Sequence, residues 1–418
     1  MVTGTEVITA QITDRNGPWI SERLGERGVE VSHMLVVGDR PDDLESALRF
    51  LGAEGVDLIV TSGGLGPTAD DLTAEIVARF AGRELVLDEA MEERIAAILA
   101  GFARRMKLDP EALKAANRKQ AMVPRGAAAI DPEGTAPGLV VPVDGGPVVI
   151  VLPGPPRELQ GMWETALETG AADEVMARAT PYQSASLRLF GIPESEIAQT
   201  LRDIGEETDL SPLEITTCLR RAELHVDIRH REGAEAARER LVEGIVQRHA
   251  GFLFSSDGST IDEQVAELLA RRKIGLGESC TAGLLAARLT ERPGASEYVA
   301  GGVVAYSNEA KVELLGVPAE LIEVHGAVSP EVADAMARGA TERFGGDLGV
   351  GVTGIAGPDG GTKEKPVGYV CICVMDSAGG SIARDLVLPG NRAEIRDRAA
   401  TVAMHLLRRL LRGEDFPI

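Results

Sequence analysis

Residues 277–311 read GESCTAGLLAARLTERPGASEYVAGGVVAYSNEAK, and this stretch decides the fold class of the C-terminal part of the chain. Just before it, Lys273-Ile274-Gly275-Leu276 runs into Gly277 as a short apolar segment with the character of a buried strand. The Ala- and Leu-rich segment over 281–289 then reads as a helix, and strand and helix alternate again until Gly316-Val317-Pro318 stops the pattern. Hydroxyls at Ser279, Thr281, Ser296, Tyr306 and Ser307, with the amine of Lys311, gather at the ends of these elements. Ser279 and Thr281 fall at the expected N-terminus of the 281–289 helix, where unpaired N–H groups attract anions.

A second glycine-rich stretch follows the apolar strand over 347–352. It reads Thr353-Gly354-Ile355-Ala356-Gly357-Pro358-Asp359-Gly360-Gly361-Thr362, with Lys363 and Lys365 beyond it. Thr353 and Gly354 open this loop, where glycines let the backbone approach a ligand and successive N–H groups form an anion cradle. In open parallel sheets such loops collect beyond the carboxyl ends of the strands, so the two stretches are expected to share one crevice.

Pro293-Gly294-Ala295-Ser296 sets Ser296 on a tight turn as a candidate nucleophile, and a serine needs a base. Lys311 is the candidate. With Ser307 or Asn308 as N-cap it lies in the first helical turn, where the positive end of the helix dipole and desolvation favour the neutral amine; Glu309 opposes this. Tyr306 either relays the proton or orients the lysine. That is the logic of a serine–lysine amidohydrolase, with backbone donors holding the oxyanion and ammonia as the leaving group. The plainer reading of the same residues is a helix cap and a solvated charge, with Cys280 a small buried hydrophobe and His325 a loop histidine.

GESCTAGLLAARLT, PGAS, AYSNEAK, HGAVSPEV and GVTGIAGPDGGTKEKPVG, in that order, resemble the C-terminal domain of the CinA family (competence/damage-inducible protein A), similar to bacterial nicotinamide mononucleotide deamidase. The resemblance implies hydrolysis of the carboxamide of nicotinamide mononucleotide to the acid, without a cofactor. It implies Ser296 as nucleophile with Tyr306 and Lys311 as activating partners, and Ser279, Thr353 and Arg392 around the ligand. Ala282 departs from the family pattern, which favours glycine after the threonine.

The chain has 418 residues, room for about two or three domains. Asp and Glu number 65 against 43 Lys and Arg, a net charge of -22. A field of that sign repels nucleic-acid backbones and anionic membranes, so a phosphorylated substrate must be held by local dipoles and a few cations. The 4 cysteines form no C-x-x-C pair, and no apolar run approaches a membrane span. The expectation is a reduced, cytoplasmic protein without structural zinc.

At the other end of the chain, Thr3-Gly4-Thr5-Glu6-Val7 looks like the end of a shortened first strand. Alternating helices and strands, with a continuous apolar strand over 56–60, predict a doubly wound parallel sheet. The run TSGGLGPTADDLT over 61–73 is a strand entering a glycine turn at Gly63 and Gly64, a phosphate or pyrophosphate cradle or a plain strand-to-helix loop; Asp70 and Asp71 are metal ligands or helix caps. This run resembles the molybdopterin-binding fold shared by molybdenum-cofactor biosynthesis proteins and CinA N-terminal domains. There the resemblance implies metal-dependent hydrolysis of ADP-ribose, with Asp71 functional and a candidate ligand of a divalent metal of unspecified identity. Glu6, Asp14 and Asn16 match the family's opening motif. Asn117-Arg118-Lys119-Gln120 is a basic patch that faces the first pocket or solvent.

The expected organisation is α/β throughout: a molybdopterin-binding-like domain over 1–170, a small KH-like α+β domain over 176–250, and a CinA deamidase domain over 258–418. The resemblance further implies a homodimer acting on small-molecule nucleotides, nicotinamide mononucleotide and ADP-ribose. The competing reading is a non-catalytic molybdopterin- or nucleotide-binding scaffold.

Overall fold

Buried strands alternating with amphipathic helices give the computed structural model, which describes residues 1–106 and 110–414, two compact units, Met1–Tyr182 and Gln183–Ile418. The charged, Ala-rich stretch over 88–120 reads as helices broken at Asp109-Pro110, and Asp109 lies outside the described residues. The fold class is α/β in both units, as the sequence alternation predicts.

The first unit is built on a six-stranded sheet in the order Val36–Val37, Val2–Thr3, Leu58–Ser62, Val148–Leu152, Gly138–Pro142, Ala128–Ile130. The pairings among the first four strands are parallel, as the doubly wound reading expects, and the two pairings made by Gly138–Pro142 at the other edge are antiparallel. The reason is the short connection over 143–147, which joins Gly138–Pro142 to Val148–Leu152 and is too short for a parallel crossover. Successive strand residues feed opposite faces. Ile59, Val149 and Val151 pack with Leu44, Leu48 and Ile76, while Val60, Ile150 and Leu152 pack with Leu24, Leu159 and Trp163. The sheet is thus covered by helices on both sides.

The second unit contains both the α+β region and the C-terminal sheet. An antiparallel sheet in the order Leu213–Arg220, Glu223–His230, Gln183–Phe190, Leu253–Ser255 buries Leu187, Leu189, Leu224 and Val226 beneath Ile197 and Leu241 of two helices. Its other face reaches the C-terminal helix Arg392–Arg412. There the ring of His405 stacks on Phe190 with centroids 3.7 Å apart, and its Nε2 lies 2.7 Å from a carboxylate oxygen of Glu223. Burial pushes the Glu223 carboxyl up to about 6 and holds His405 well below the usual imidazole range.

The five-stranded sheet runs Val299–Val304, Ile274–Glu278, Leu348–Gly354, Tyr369–Asp376, Ser381–Val387, the first three parallel and the rest antiparallel. The helix Pro330–Phe344 lies on one face at backbone contact: a Cβ at Gly275, Gly349 or Gly351 would overlap the carbonyl oxygens of Ala340, Ala337 or Ala333. Helices Ile261–Leu269 and Arg392–Arg412 contribute Val265, Leu269, Ala399 and Leu406 to the core cluster with Leu276, Val350 and Val374. Three adjacent strands therefore present their carboxyl ends on one rim, with the first turn of Arg392–Arg412 beside it.

Candidate active site

Register places the site. Glu278 pairs with Val304 on one side and Val352 on the other, so Ser279, Ala305 and Thr353 follow three neighbouring strands at the same level. The Ser279 N–H donates to Val352 O at 2.8 Å, and Ala305 N–H donates to Glu278 O at 2.8 Å. After Tyr306 the chain turns into the helix Asn308–Leu315, capped by Ser307, whose hydroxyl accepts the Ala310 N–H at 3.1 Å. Lys311 then points back under the rim, and its Nζ donates to Ser279 Oγ at 3.1 Å, Ala305 O at 3.0 Å and Tyr306 O at 3.3 Å. Both side chains are buried: Lys311 is 2% exposed and Ser279 7%.

None of these three partners of Lys311 is a carboxylate. Desolvation holds its amine below the usual lysine range, opposed by Cys280 and Glu309. A neutral amine would have two N–H donors and one lone pair; with both donors kept on the carbonyls of Ala305 and Tyr306, its lone pair would be left for the proton of the Ser279 hydroxyl. The neighbouring thiol is in the opposite condition: burial pushes Cys280 up to about 12, which leaves it an inert hydrophobe.

The turn after the strand differs from the sequence expectation. The helix runs Leu284–Thr290, three residues later than the expected start at Thr281. Its N-terminal N–H groups are already filled: the buried carboxylate of Glu278 accepts from Gly283 at 2.9 Å, Leu285 at 3.2 Å and Ala286 at 2.8 Å. A side-chain anion occupies the place where a ligand anion was expected, and the dipole favours it for the same reason. Between serine and helix the chain passes through Ala282 at φ 50, a left-handed conformation that strains a residue carrying a Cβ. Ala282→Gly is expected to stabilise the protein by about 1 kcal/mol, read as a higher denaturant midpoint at unchanged slope.

The structure does not bring Ser296 to Lys311. Ser296 lies in the short turn Ala295–Glu297 that precedes Val299–Val304, and is exposed at the amino end of the sheet, where its carbonyl accepts from Lys273 Nζ at 3.1 Å. Lys273 and Ser279 bracket the neighbouring strand, six residues or roughly 20 Å of extended chain apart. Ser279 is therefore the serine in hydrogen-bond reach of the lysine, and Ser296 is corrected to a turn residue.

The other expected residues divide. Tyr306 is 56% exposed; its hydroxyl accepts from Arg392 Nη2 at 2.6 Å, while Lys311 meets its main-chain carbonyl. Arg392 also donates to Gly357 O at 2.7 Å, so it ties the rim to the glycine loop. Thr281 and Thr353 are closed off from solvent, 0% and 1% exposed, which corrects their expected direct contact with a ligand. The Thr353 hydroxyl donates to Ala327 O at 2.8 Å and so fixes the loop after His325. At Gly354 a Cβ would press on Cys280 Sγ at 3.0 Å and Val370 Cγ2 at 2.8 Å, so this glycine serves packing. Sequence reasoning missed Glu278 and also Arg396, whose Nε donates to Cys280 O at 3.0 Å and Nη2 to Thr281 O at 2.9 Å.

In the first unit, Asn16 Nδ2 donates to Ser62 Oγ at 2.8 Å and Gly154 O at 2.7 Å, drawing together the opening motif, the strand Leu58–Ser62 and the loop after Val148–Leu152. Asp14 accepts the N–H groups of Asn16 and Gly17 at 2.9 and 3.0 Å. Gly63 and Gly64 have φ of 105 and 67, as their turn requires. Asp71 accepts the N–H and hydroxyl of Thr68 at 2.9 and 2.6 Å, Asp70 shares that hydroxyl, and Lys119 donates to Thr68 O. Glu6 is exposed in the short helix Thr5–Ile8. Among the described residues no three His, Cys, Asp or Glu side chains converge as a metal site. Asp71 closes a turn by accepting from Thr68, and its surroundings do not fit the expected divalent metal.

Fold and site define a multidomain α/β protein with a buried serine–lysine pair at the carboxyl ends of parallel strands. Residues 258–411 match the CinA C-terminal domain and residues 1–171 the probable molybdopterin binding domain. The CinA-like protein of Mycolicibacterium vanbaalenii is 60% identical over 417 residues, covering 99% of this chain and 98% of the relative. That of Mycobacterium tuberculosis is 56% identical over 418 residues, covering 99% and 97%. A solved competence/damage inducible protein from Agrobacterium tumefaciens is 37% identical, covering 38% of this chain and 99% of that one, with a TM-score of 0.35. The chain belongs to the CinA family. No helix among the described residues is long and apolar enough to cross a membrane.

Proposed function

We propose that the C-terminal domain is an amidohydrolase that converts nicotinamide mononucleotide and water to nicotinate mononucleotide and ammonia, with Ser279 as nucleophile and Lys311 as general base. The observation that carries this reading is the buried 3.1 Å contact between Lys311 Nζ and Ser279 Oγ, without a carboxylate among the lysine's hydrogen-bond partners. Ser279 Oγ attacks the carboxamide carbon as its proton passes to Lys311. The tetrahedral adduct collapses when the departing nitrogen takes that proton, the C–N bond breaks, and an ester remains on Ser279. Water, deprotonated by the same amine, attacks the ester carbon; the acid leaves and Ser279 regains its proton. Arg392 places a cation at the rim for the phosphate, as a chain with net charge -22 requires. Incubation of the full-length protein with nicotinamide mononucleotide, with ammonia and the acid product quantified together, tests the reading: equimolar release supports it, and neither product appearing refutes it.

A further inference from the structure

Glu278 stands between the sheet and the turn that carries Ser279. Its main chain belongs to the strand Ile274–Glu278, where its carbonyl accepts the Ala305 N–H at 2.8 Å, and its buried carboxylate reaches forward over the turn. The helix Leu284–Thr290 has Gly283 as its N-cap, a residue with no side chain to act as a cap, so the free N–H groups of the first turn need an acceptor from elsewhere. Glu278 supplies it: one carboxylate oxygen takes the Gly283 and Leu285 N–H groups and the other takes Ala286. Residues 279–283 are thereby closed into a loop between the strand end and the helix start. Within it Ser279 is held on both sides of its own main chain, its N–H on Val352 O at 2.8 Å and its carbonyl on the Ala282 N–H at 3.1 Å. Ala282 and Gly283 both take left-handed backbone, φ 50 and 91.

We infer that Glu278 is a positioning residue for the deamidation: by tying the strand end to the helix start it fixes the turn between them, and with it the direction of the Ser279 hydroxyl toward Lys311. The inference rests on the amidohydrolase reading. Successive residues of a strand point to opposite faces, which puts the carboxylate on the side of Leu284–Thr290 and the serine hydroxyl on the side of Lys311. None of the carboxylate's hydrogen bonds reaches Ser279 Oγ or Lys311 Nζ, and the groups that oppose desolvation at Lys311 are Cys280 and Glu309. A carboxylate suits the task because it is acceptor only and serves all three donors at once. A glutamine of the same shape offers one acceptor oxygen and turns an NH2 toward the remaining N–H groups. Loss of the grip frees the left-handed Ala282 to relax toward an ordinary conformation, and the serine at the start of the turn moves with it.

The test compares full-length wild type, Glu278→Gln and Glu278→Asp for ammonia release from nicotinamide mononucleotide. A reacting group displaced by about 1 Å costs about 10² in rate, and that is the fall in kcat expected for Glu278→Gln, with KM changed less than about threefold. Glu278→Asp, one methylene too short to reach the helix, loses about tenfold or more, and it carries the test should Glu278→Gln fail to fold. The pH midpoint set by Lys311 stays in place in both. A loosened site is told from a displaced serine by binding. Ser279→Ala and Ser279→Ala/Glu278→Gln, which turn over too slowly to interfere, are expected to bind nicotinamide mononucleotide with Kd values within about threefold of each other. A kcat within about twofold of wild type in either single variant overturns the inference, as does a loss in Glu278→Gln that falls wholly on KM or is matched by the Kd of the double variant. So does a midpoint displaced by about one pH unit or more, the effect of a charge acting on the lysine directly. Such results with an active wild type leave the amidohydrolase reading standing; a wild type that releases no ammonia overturns both.

Discussion

Ser279→Ala is expected to lower ammonia release from nicotinamide mononucleotide by about 10⁴-fold or more, while Ser296→Ala stays within twofold of wild type. The contrast follows from strand direction. Ser279 leaves the carboxyl end of Ile274–Glu278 and receives a hydrogen bond from Lys311 at 3.1 Å; Ser296 precedes Val299–Val304 at the amino end, beside Lys273. Removal of a nucleophilic oxygen leaves only binding and oxyanion stabilisation, whereas an exposed turn hydroxyl with no contact to the lysine contributes nothing to the barrier. Steady-state kinetics on the two variants side by side is the check. Equal losses in both, or a loss confined to Ser296→Ala, would contradict the assignment.

Lys311→Met is expected to lose about 10²–10⁴ in kcat, the ordinary contribution of a positioned general base. Lys311→Arg fails equally, because a guanidinium keeps the donors and never offers a lone pair. In wild type, kcat/KM rises with pH through one ionisation that lies below the usual lysine range, the direction burial imposes on Lys311, and then levels off. Lys311→Met flattens that limb. The same displacement sets a sign for stability. The folded amine releases its proton at lower pH than the unfolded one. Between the lowered folded value and the ordinary lysine value the unfolded chain therefore holds more protons, and stability rises with pH across that interval. Chemical denaturation of wild type and Lys311→Met along a pH series reads this as a difference in slope.

Much of the C-terminal site was legible in the sequence because it is local. The strand before Ser279, the cap at Ser307 and the placing of Lys311 soon after it all follow from apolar runs, capping residues and a Gly-x-Pro stop. A tight turn makes Ser296 look available as a nucleophile, but it does not say which end of the sheet the turn lies on: Ser296, 15 residues from Lys311, does not meet it, and Ser279, 32 residues away, does. The signal that separates them was present. Ser279 directly follows an apolar run and Ser296 precedes one, and in a parallel sheet only the first lies at the carboxyl end, where such sites collect. The late helix start was not legible, since it depends on the Glu278 side chain folding back over its own turn onto N–H groups five to eight residues later. Arg396 was equally hidden, 116 residues from the carbonyl of Cys280 that it holds. In the first unit the glycine turn is plain in the sequence, but the partner of Asp70 and Asp71 is not: their carboxylates bind Thr68. Acidic residues after a glycine turn suit a metal site and a polar turn equally well, and only the partner decides.

The most direct measurement is an acid quench of full-length protein turning over nicotinamide mononucleotide, followed by mass-spectrometric mapping of its peptides. The nicotinate mononucleotide ester is predicted on Ser279 and is expected to vanish in Lys311→Met. An ester on Ser296, or the same ester on Ser279 forming at the wild-type rate in Lys311→Met, would contradict the pairing of that hydroxyl with that amine.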